Sequence, residues 1–221
     1  MTTTPPTTVA ILGTGGVGIT LAKGFVSLGY NVVFGSRDVN GTKALEALIA
    51  VPGARAASYA EAARAGQFAV LALPWDGLEA AIRAAGPENL AGKLVIDPSN
   101  PLDFSSGGPA LAIGHTDSAG ELVQRLLPTA KVVKALNTIG TGHMLQPQFG
   151  SGKPDMLIAG EDAQAKAQVG EWLAAWGWRK PVDMGGIVAS RLLEALAVLW
   201  ISYGVRNNHW AHGFSLLGQK A

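Results

Sequence analysis

Three glycines near the amino terminus have the spacing of a loop that binds the phosphates of a dinucleotide. Gly13, Gly15 and Gly18 form the pattern G-x-G-x-x-G, after the apolar residues 9–12 and at the start of an Ala/Leu-rich segment. In such a loop the first glycine permits a tight turn, the second admits the pyrophosphate, and the third lets the helix pack closely on the strand. The amides and the dipole at the helix start favour the anion. A glycine-rich turn without a ligand is the alternative; the spacing predicts that the pyrophosphate contacts Gly13, Thr14, Gly15, Gly16, Val17 and Gly18.

The residues after the second apolar run, 32–34, bear on which dinucleotide is bound. Enzymes that use NAD(H) usually carry a carboxylate about 20 residues after the glycine loop, where it accepts from the ribose 2′-hydroxyl. Ser36 and Arg37 stand there instead, and a hydroxyl with a guanidinium suits a 2′-phosphate through charge-assisted hydrogen bonds. Lys43 is a second candidate cation or a solvated lysine, and Asp38 is expected to cap the next helix. The sequence predicts NADP(H) rather than NAD(H).

Two polar segments follow later predicted strands, at the sheet edge where ligands bind in open α/β folds. Residues 97–101 read Asp-Pro-Ser-Asn-Pro, and Asn100 is a candidate to bind the nicotinamide ribose or carboxamide. The alternative is that Asn100 bonds its own backbone. Asn137, Thr138 and Ile139 end the sixth predicted strand. We expect Ile139 to cover one ring face and leave the other to a substrate, although plain packing is the alternative.

The histidines give weaker signals. His115 and His143 lie in predicted loops that could border a substrate, but loop histidines are mostly polar surface residues. His209 and His212 are three residues apart, which suits one helix face, yet no acidic partner accompanies them and no metal site is expected. The chain has no cysteine, which excludes thiolate chemistry. No catalytic dyad emerges, and His143 is the weak candidate for a catalytic residue.

The elements that must position these residues follow an α/β pattern. Short β-rich runs alternate with helical stretches, which predicts a Rossmann fold with a doubly wound parallel sheet. A small carboxy-terminal α/β portion, dominated by a long helix, follows. We expect an NADP(H)-binding domain at 1–140 and an acceptor-site and dimerisation domain at 141–221, with residues 1–8 as a flexible lead-in. Predicted strands are 9–12, 31–34, 55–57, 68–73, 93–96, 131–136 and 155–159; predicted helices are 15–28, 40–49, 59–65, 77–85, 118–126, 163–176 and 187–205.

The long helix predicted at 187–205 is apolar nearly all round. Such a helix is buried on several faces, and in so small a domain a second copy of the chain is the expected cover. Arg191 and Glu194 are expected to pair, and they interrupt the run too much for a membrane span. An acid–base role for Glu194 is an open alternative. One apolar side of the helix holds Val188, Leu192, Ala195, Leu196 and Leu199, and another holds Leu193, Ala197 and Trp200. Core packing is expected for the aromatic residues Trp172, Trp176, Trp178, Trp200, Tyr203 and Trp210.

Composition excludes several classes of function. Hydrophobic residues make up 48% of the 221 residues and charged residues only 15%, so a large core is expected, with some apolar surface covered by a partner chain. The net charge of +1 gives no reason to expect nucleic acid or a membrane surface as a partner. The Thr/Pro-rich start does not read as a secretory signal. A cytoplasmic protein is expected.

At several places the sequence resembles the NADPH-dependent reductases of coenzyme F420, an 8-hydroxy-5-deazaflavin, which are related to the NADP-binding domains of ferric reductases. Residues 11–18 with 35–37 resemble that family's nucleotide loop, and residues 71–75 its strand-end loop beside the dinucleotide. Residues 131–139 resemble the family strand under the nicotinamide, and residues 182–186 with 191–194 the opening of its last helix. The resemblance covers nearly the whole chain. It implies a homodimer, and it implies cofactor contacts by Leu73, Pro74, Trp75, Ala135 and Asn137.

The resemblance also implies hydride exchange between NADP(H) and a second carrier, a deazaflavin or flavin-like small molecule. Positioning and water exclusion do most of the work in such a transfer, so no protein acid is obligatory. Reduction of a small carbonyl or imine is an alternative that would need a proton donor such as His143. A ferric chelate is another acceptor to consider. A non-catalytic NADP(H)-binding sensor is the alternative from a different class.

Overall fold

A six-stranded parallel sheet is the centre of the computed structural model, which describes residues 7–218. Most of the predicted lead-in, residues 1–6, lies outside the described residues. The sheet order β3-β2-β1-β4-β5-β8 is that of a Rossmann fold, and the predicted fold class is confirmed. The strands are β1 Thr8–Leu12, β2 Asn31–Ser36, β3 Arg55–Ser58, β4 Phe68–Leu71, β5 Leu94–Asp97, β6 Leu102–Asp103, β7 Ala110–Leu111, β8 Lys131–Lys134, β9 Leu157–Ile158 and β10 Val182–Asp183.

Within residues 7–218, seven α-helices connect and cover these strands. Side-chain caps begin three of them: Ser58 before α3, Ser118 before α5 and Asp162 before α6. The prediction that Asp38 caps α2 is wrong: that helix starts after Gly41, and the Asp38 carboxylate instead accepts from the Asn40 amide in the preceding turn. The helices are α1 Gly16–Ser27, α2 Thr42–Ala50, α3 Tyr59–Ala65, α4 Trp75–Ala85, α5 Ala119–Leu126, α6 Ala163–Ala175 and α7 Ser190–Asn207.

Both faces of the sheet are buried, which is why its strands read as continuous apolar runs. In β1, Val9 and Ile11 face one apolar cluster, whereas Ala10 and Leu12 face the other. Phe25 of α1 lies at the centre of the first cluster with its ring edge-on to its neighbours. The expected core packing of Trp172, Trp176, Trp178 and Trp200 is confirmed; Tyr203 and Trp210 are partly exposed instead.

The chain after residue 140 adds to this same core. Trp172 and Trp176 of α6 have ring centroids 5.2 and 4.9 Å from that of Phe25 in α1. Ala159, just beyond β9, forms an antiparallel bridge with Lys134 at the end of β8. β9 and β10 are only two residues each, so the strand predicted at 155–159 is shorter than expected. The domain boundary at 140 stays a prediction.

Helix α7 packs one side against the Rossmann core and exposes the other. The predicted pairing of Arg191 with Glu194 is wrong: Arg191 binds Glu121 of α5 in a bidentate pair, and Glu194 turns inward to Lys134. By length and composition alone residues Ile187–Asn207 could cross a bilayer, and 39% of the apolar window within them is buried inside the protein. Both charged groups of its first turns are held by the α/β core. The helix also ends at Asn207, so His209 and His212 lie beyond it, not on one helix face.

Candidate active site

The glycine loop has the geometry that a dinucleotide requires. Gly13 has a φ of +119°, and a Cβ atom there would overlap the carbonyl of Ala72 on the neighbouring strand end. Gly15 precedes α1 in an extended conformation, and no side chain caps that helix. The first amides of α1 are therefore available to an anion, as the spacing of the three glycines predicts.

A cavity of about 340 Å³ lies between the glycine loop and the end of β2. Arg37 and Lys43 line it, and within residues 7–218 neither has a hydrogen-bond or ion-pair partner. Burial raises the pKa of the Tyr59 hydroxyl at the cavity wall, with Arg37 opposing, so the phenol stays neutral beside the guanidinium. The Ser36 hydroxyl also lies here, but it donates to the Asp38 carbonyl at 2.8 Å. Two unpaired cations beside a glycine loop fit a phosphorylated adenosine ribose.

A second cavity, of about 250 Å³, continues from the glycine loop toward β5. Leu73 and Pro74 line both this cavity and the first one. Opposite them stand Pro98 and Ser99, from the loop after β5. The Ser99 hydroxyl is buried and has no partner among the described residues, so it can serve a polar group placed here. We expect the nicotinamide half of a dinucleotide to lie here and call this the nicotinamide cavity.

A third cavity, of about 560 Å³, adjoins the nicotinamide cavity and shares Val17 and Pro98 with it. We call it the acceptor cavity. Trp200 and Trp210 give it an aromatic wall, and none of its lining residues is a lysine, arginine, aspartate or glutamate. His143 is the one ionisable side chain in its lining, and within the described chain that ring contacts Phe149 without any hydrogen bond. The polar lining residues are Asn100, Asn137, Thr141 and His143.

Two asparagines in the lining of the acceptor cavity are hydrogen-bonded to each other. Asn100 donates to the carbonyl of Asn137 at 2.8 Å, and the Asn137 amide donates back to Asn100 Oδ1 at 3.0 Å and to the Leu193 carbonyl at 3.0 Å. The Asn100 side chain therefore bonds Asn137 and not its own backbone, which was the alternative prediction. Leu136, which also lines the cavity, has a φ of +65°. Strained conformations of this kind concentrate at functional sites.

Near this asparagine pair lies an ionic cluster that the sequence analysis missed. The ammonium of Lys134 is 2.7 Å from Asp97 and 2.8 Å from Glu194, and all three side chains are fully buried. Burial acts to lower the pKa of Lys134, but the two carboxylates outweigh it and raise that pKa. Burial raises the pKa of Glu194, and Lys134 only partly offsets the rise. One sequence signal was present: Lys134 directly follows the apolar pair Val132 and Val133 in a strand expected to be buried on both faces.

Several predicted site residues lie away from these three cavities. Trp75 begins α4, Ala135 is packed in the core with its amide donating to the Asp97 carbonyl, and Thr138 is buried; none of the three lines a cavity described above. His115 is an exposed loop residue. Glu194 is sealed in its cluster and does not reach the acceptor cavity.

His212 packs on the aromatic wall, and His209 packs on His212. His212 stacks on Trp200 with ring centroids 4.5 Å apart, and its Nε2 lies 3.0 Å from the carbonyl of Trp200. Among residues 7–218 no three side chains of the metal-binding types come together. The two histidines therefore shape the wall that faces the acceptor cavity.

Comparisons with known proteins agree with this geometry. The family model described as NADP oxidoreductase, coenzyme F420-dependent, matches residues 8–101. The rat metalloreductase STEAP3 is 31% identical over 85% of this chain, although the chain spans only 36% of that protein. The F420-dependent NADP reductase of Methanothermobacter marburgensis is 30% identical over 90% of this chain and 93% of the relative. A crystal structure from Arthrobacter sp. FB24, provisionally named an F420-dependent NADP reductase, is 37% identical over 95% of this chain and 99% of its own, with a TM-score of 0.90. The chain belongs to the family of coenzyme F420-dependent NADP oxidoreductases.

Proposed function

We propose that this protein transfers hydride between NADP(H) and a deazaflavin of the coenzyme F420 type. Family membership makes the chain an NADP-dependent oxidoreductase, and the proposal concerns the second substrate. The observation that carries it is the acceptor cavity: about 560 Å³, aromatic on one wall, and joined to the nicotinamide cavity through Val17 and Pro98. A flat ring placed there would lie beside the dinucleotide. The relative from Methanothermobacter marburgensis bears the name of a reductase with that substrate.

The residues of the first two cavities fit NADP(H). The uncapped start of α1 suits the pyrophosphate, and the unpaired cations Arg37 and Lys43 suit the 2′-phosphate. The unpaired Ser99 hydroxyl is available to the nicotinamide half. When bound, the cofactor supplies a hydride at its nicotinamide ring. The chain's part is to orient that ring toward the acceptor cavity and to exclude water.

The acceptor cavity suits an uncharged, flat ring system. Trp200 and Trp210 offer aromatic faces for stacking, and Ile139 supplies an apolar surface. The Asn100–Asn137 pair offers amide groups at the edge of such a ring. Hydride transfer between two rings held in contact depends mainly on their distance and orientation, which the walls of the cavity would fix.

The proposal is tested by mixing the purified protein and NADPH with one acceptor at a time: coenzyme F420, a flavin, a ferric chelate and a cyclic imine. We expect NADPH oxidation with the deazaflavin at a rate well above that with the others. Oxidation by another acceptor alone would replace the proposed substrate. NADPH binding without oxidation by any acceptor would favour a sensor protein instead.

Reduction of a small carbonyl or imine is the second candidate function, and His143 is the observation that favours it. Such a reaction needs a proton donor near the substrate, and His143 is the ionisable side chain lining the acceptor cavity. Its ring has no hydrogen-bond partner within the described chain that would hold it away from a substrate. For this function, His143→Gln should lower kcat with a cyclic imine at least about 100-fold, the usual contribution of a general acid; for transfer between two rings it should leave kcat nearly unchanged.

We also propose that the chain forms a homodimer through the outer face of α7. That face exposes Leu192, Leu199 and Tyr203, which are seven and four residues apart along the helix, each about half exposed or more. Exposed apolar side chains in a continuous stripe are typical of protein interfaces. Light scattering should give twice the chain mass for the wild type and the chain mass for Leu192→Glu combined with Leu199→Glu. A monomeric wild type would contradict the proposal.

A further inference from the structure

The ionic cluster of Asp97, Lys134 and Glu194 is closed both to solvent and to the cavities. Each side chain is fully buried, and none lines the nicotinamide or acceptor cavity. Buried ion clusters are often no more stabilising than apolar side chains of equal volume, because the loss of hydration offsets the attraction between the charges. Stability alone therefore does not account for three charged groups here.

The cluster ties together segments that are distant in sequence. Besides its two ion pairs, the Lys134 ammonium donates to the Ser99 carbonyl at 2.8 Å. Asp97 accepts from the Ser99 amide at 2.9 Å. Glu194, on α7, accepts from the amides of Ala119 and Gly120 at the start of α5, at 2.9 and 3.0 Å. Lys134 thus joins the end of β8 to α7 and to the loop after β5.

The hydrogen bonds of the asparagine pair join three of the same segments a second time: the loop after β5, the chain after β8, and α7. Asn100 follows Ser99 in the loop, Asn137 follows Lys134 by three residues, and the Leu193 carbonyl that completes the pair precedes Glu194. Leu136, with its φ of +65°, stands between Lys134 and Asn137 in the sequence. A leucine persists in that conformation only when its surroundings hold it there. The ion pairs of Lys134 and the hydrogen bonds of Asn137 hold the chain on either side of Leu136.

We propose that Lys134 is a positioning residue for hydride transfer. Its ammonium fixes the loop after β5 against β8 and α7. That contact sets where Ser99 stands in the nicotinamide cavity and where Asn100 and Asn137 stand in the acceptor cavity. Lys134 itself touches neither substrate. The kinetic part of this inference rests on the proposed function, since it requires hydride to pass between the two cavities.

The test replaces Lys134 with methionine, which keeps an unbranched stem and removes the ammonium. We expect kcat per NADPH-binding site to fall about 100-fold, the effect of misplacing reacting groups by about 1 Å. The dissociation constant of NADPH should change less than about 3-fold, because the adenosine contacts lie elsewhere. Glu194→Gln, which keeps the shape of the side chain, should lower kcat about 10-fold. The matched control is Lys166→Met, which breaks the Lys166–Asp183 pair outside the site and should leave kcat unchanged.

The outcomes separate this inference from the proposed function. A Lys134→Met protein that binds NADPH stoichiometrically and keeps the wild-type kcat would overturn the inference. If that variant does not fold, Glu194→Gln decides by the same two constants. If the wild type reduces no acceptor, the proposed function fails alone, and the fluorescence of bound NADPH then tests the positioning. That emission should differ between the wild type and either cluster variant, and identical emission would overturn the inference.

Discussion

The two ends of the site differ in how the chain builds them. The adenosine end is lined mainly by residues 13–15 and 36–44, which are close in sequence and joined by one helix and one strand; Tyr59 and residues 72–74 complete it. The acceptor end uses residues 98–100, 136–144 and 200–211, which meet only when the whole sheet and α7 are in place. Local motifs therefore build most of the adenosine end, and long-range packing builds the acceptor end.

The charges at the two ends differ in the same way. Arg37 and Lys43 are exposed, and within residues 7–218 they have no ionic partner, so they can bind a phosphate, and added salt should weaken that binding. Lys134 is fully buried and already paired with two carboxylates. It can orient its neighbours but cannot bind a ligand. The unpaired cations Arg37 and Lys43 are therefore candidates to bind a ligand, whereas the paired Lys134 holds neighbouring segments in place.

The largest effect is expected from Gly13→Ala. The added methyl group would overlap the Ala72 carbonyl, and the φ of +119° is strained for alanine. Calorimetric titration should show NADPH binding weakened by at least about 100-fold, since the loop must move to relieve the overlap. Gly53→Ala is the control: its φ is +88°, but a Cβ atom there meets nothing within 4 Å. Unchanged binding by Gly13→Ala would mean that the glycine loop does not hold the cofactor.

Arg37→Ala should weaken NADPH binding about 30-fold, because a charge-assisted hydrogen bond to a phosphate is lost. NADH has no 2′-phosphate, so its dissociation constant should change little. Arg55→Ala, which removes a cation from the edge strand β3 outside the adenosine cavity, is the control. Equal losses for both dinucleotides would contradict the assignment of Arg37.

Trp210→Ala should act at the other end only. Loss of one aromatic stacking surface should raise KM for the acceptor about 10-fold and leave the NADPH dissociation constant unchanged. Trp210 lines the acceptor cavity, whereas Leu216, in the same terminal segment, does not, so Leu216→Ala is the control. A parallel loss of NADPH affinity would show that the two ends are not separate.

The smallest effect concerns stability, not ligands. Hydrogen bonds from Arg191 hold the pKa of Glu121 below its ordinary value, so folding favours the ionised carboxylate. That contribution is fully present above the ordinary pKa and is lost as pH falls through the lowered one, because the unfolded chain takes up the proton first. Between about pH 5 and pH 3 the free energy of unfolding should drop about 1 kcal/mol more in the wild type than in Glu121→Gln. If urea titrations at the two pH values gave equal drops in the free energy of unfolding for both proteins, this prediction would be wrong.

The sequence predicted the parts of the molecule that local patterns encode. The glycine loop, the alternation of strands and helices, and the cations at 37 and 43 follow from residues that are neighbours in sequence. The partners of Arg191 and Glu194 did not, because two residues of one helix turn can point to different elements. Nor could spacing show that Lys134 meets Asp97 across the sheet, since that contact depends on strand register. Ala135 and Trp75 were assigned by resemblance alone, and neither lines any of the three cavities.

The most direct test compares the dissociation constants of NADPH and NADH for the wild-type protein at one ionic strength. The free cations at the end of β2 predict that NADPH binds at least about 10-fold more tightly, the value of one charge-assisted contact to the 2′-phosphate. Equal affinities, or tighter binding of NADH, would contradict the account.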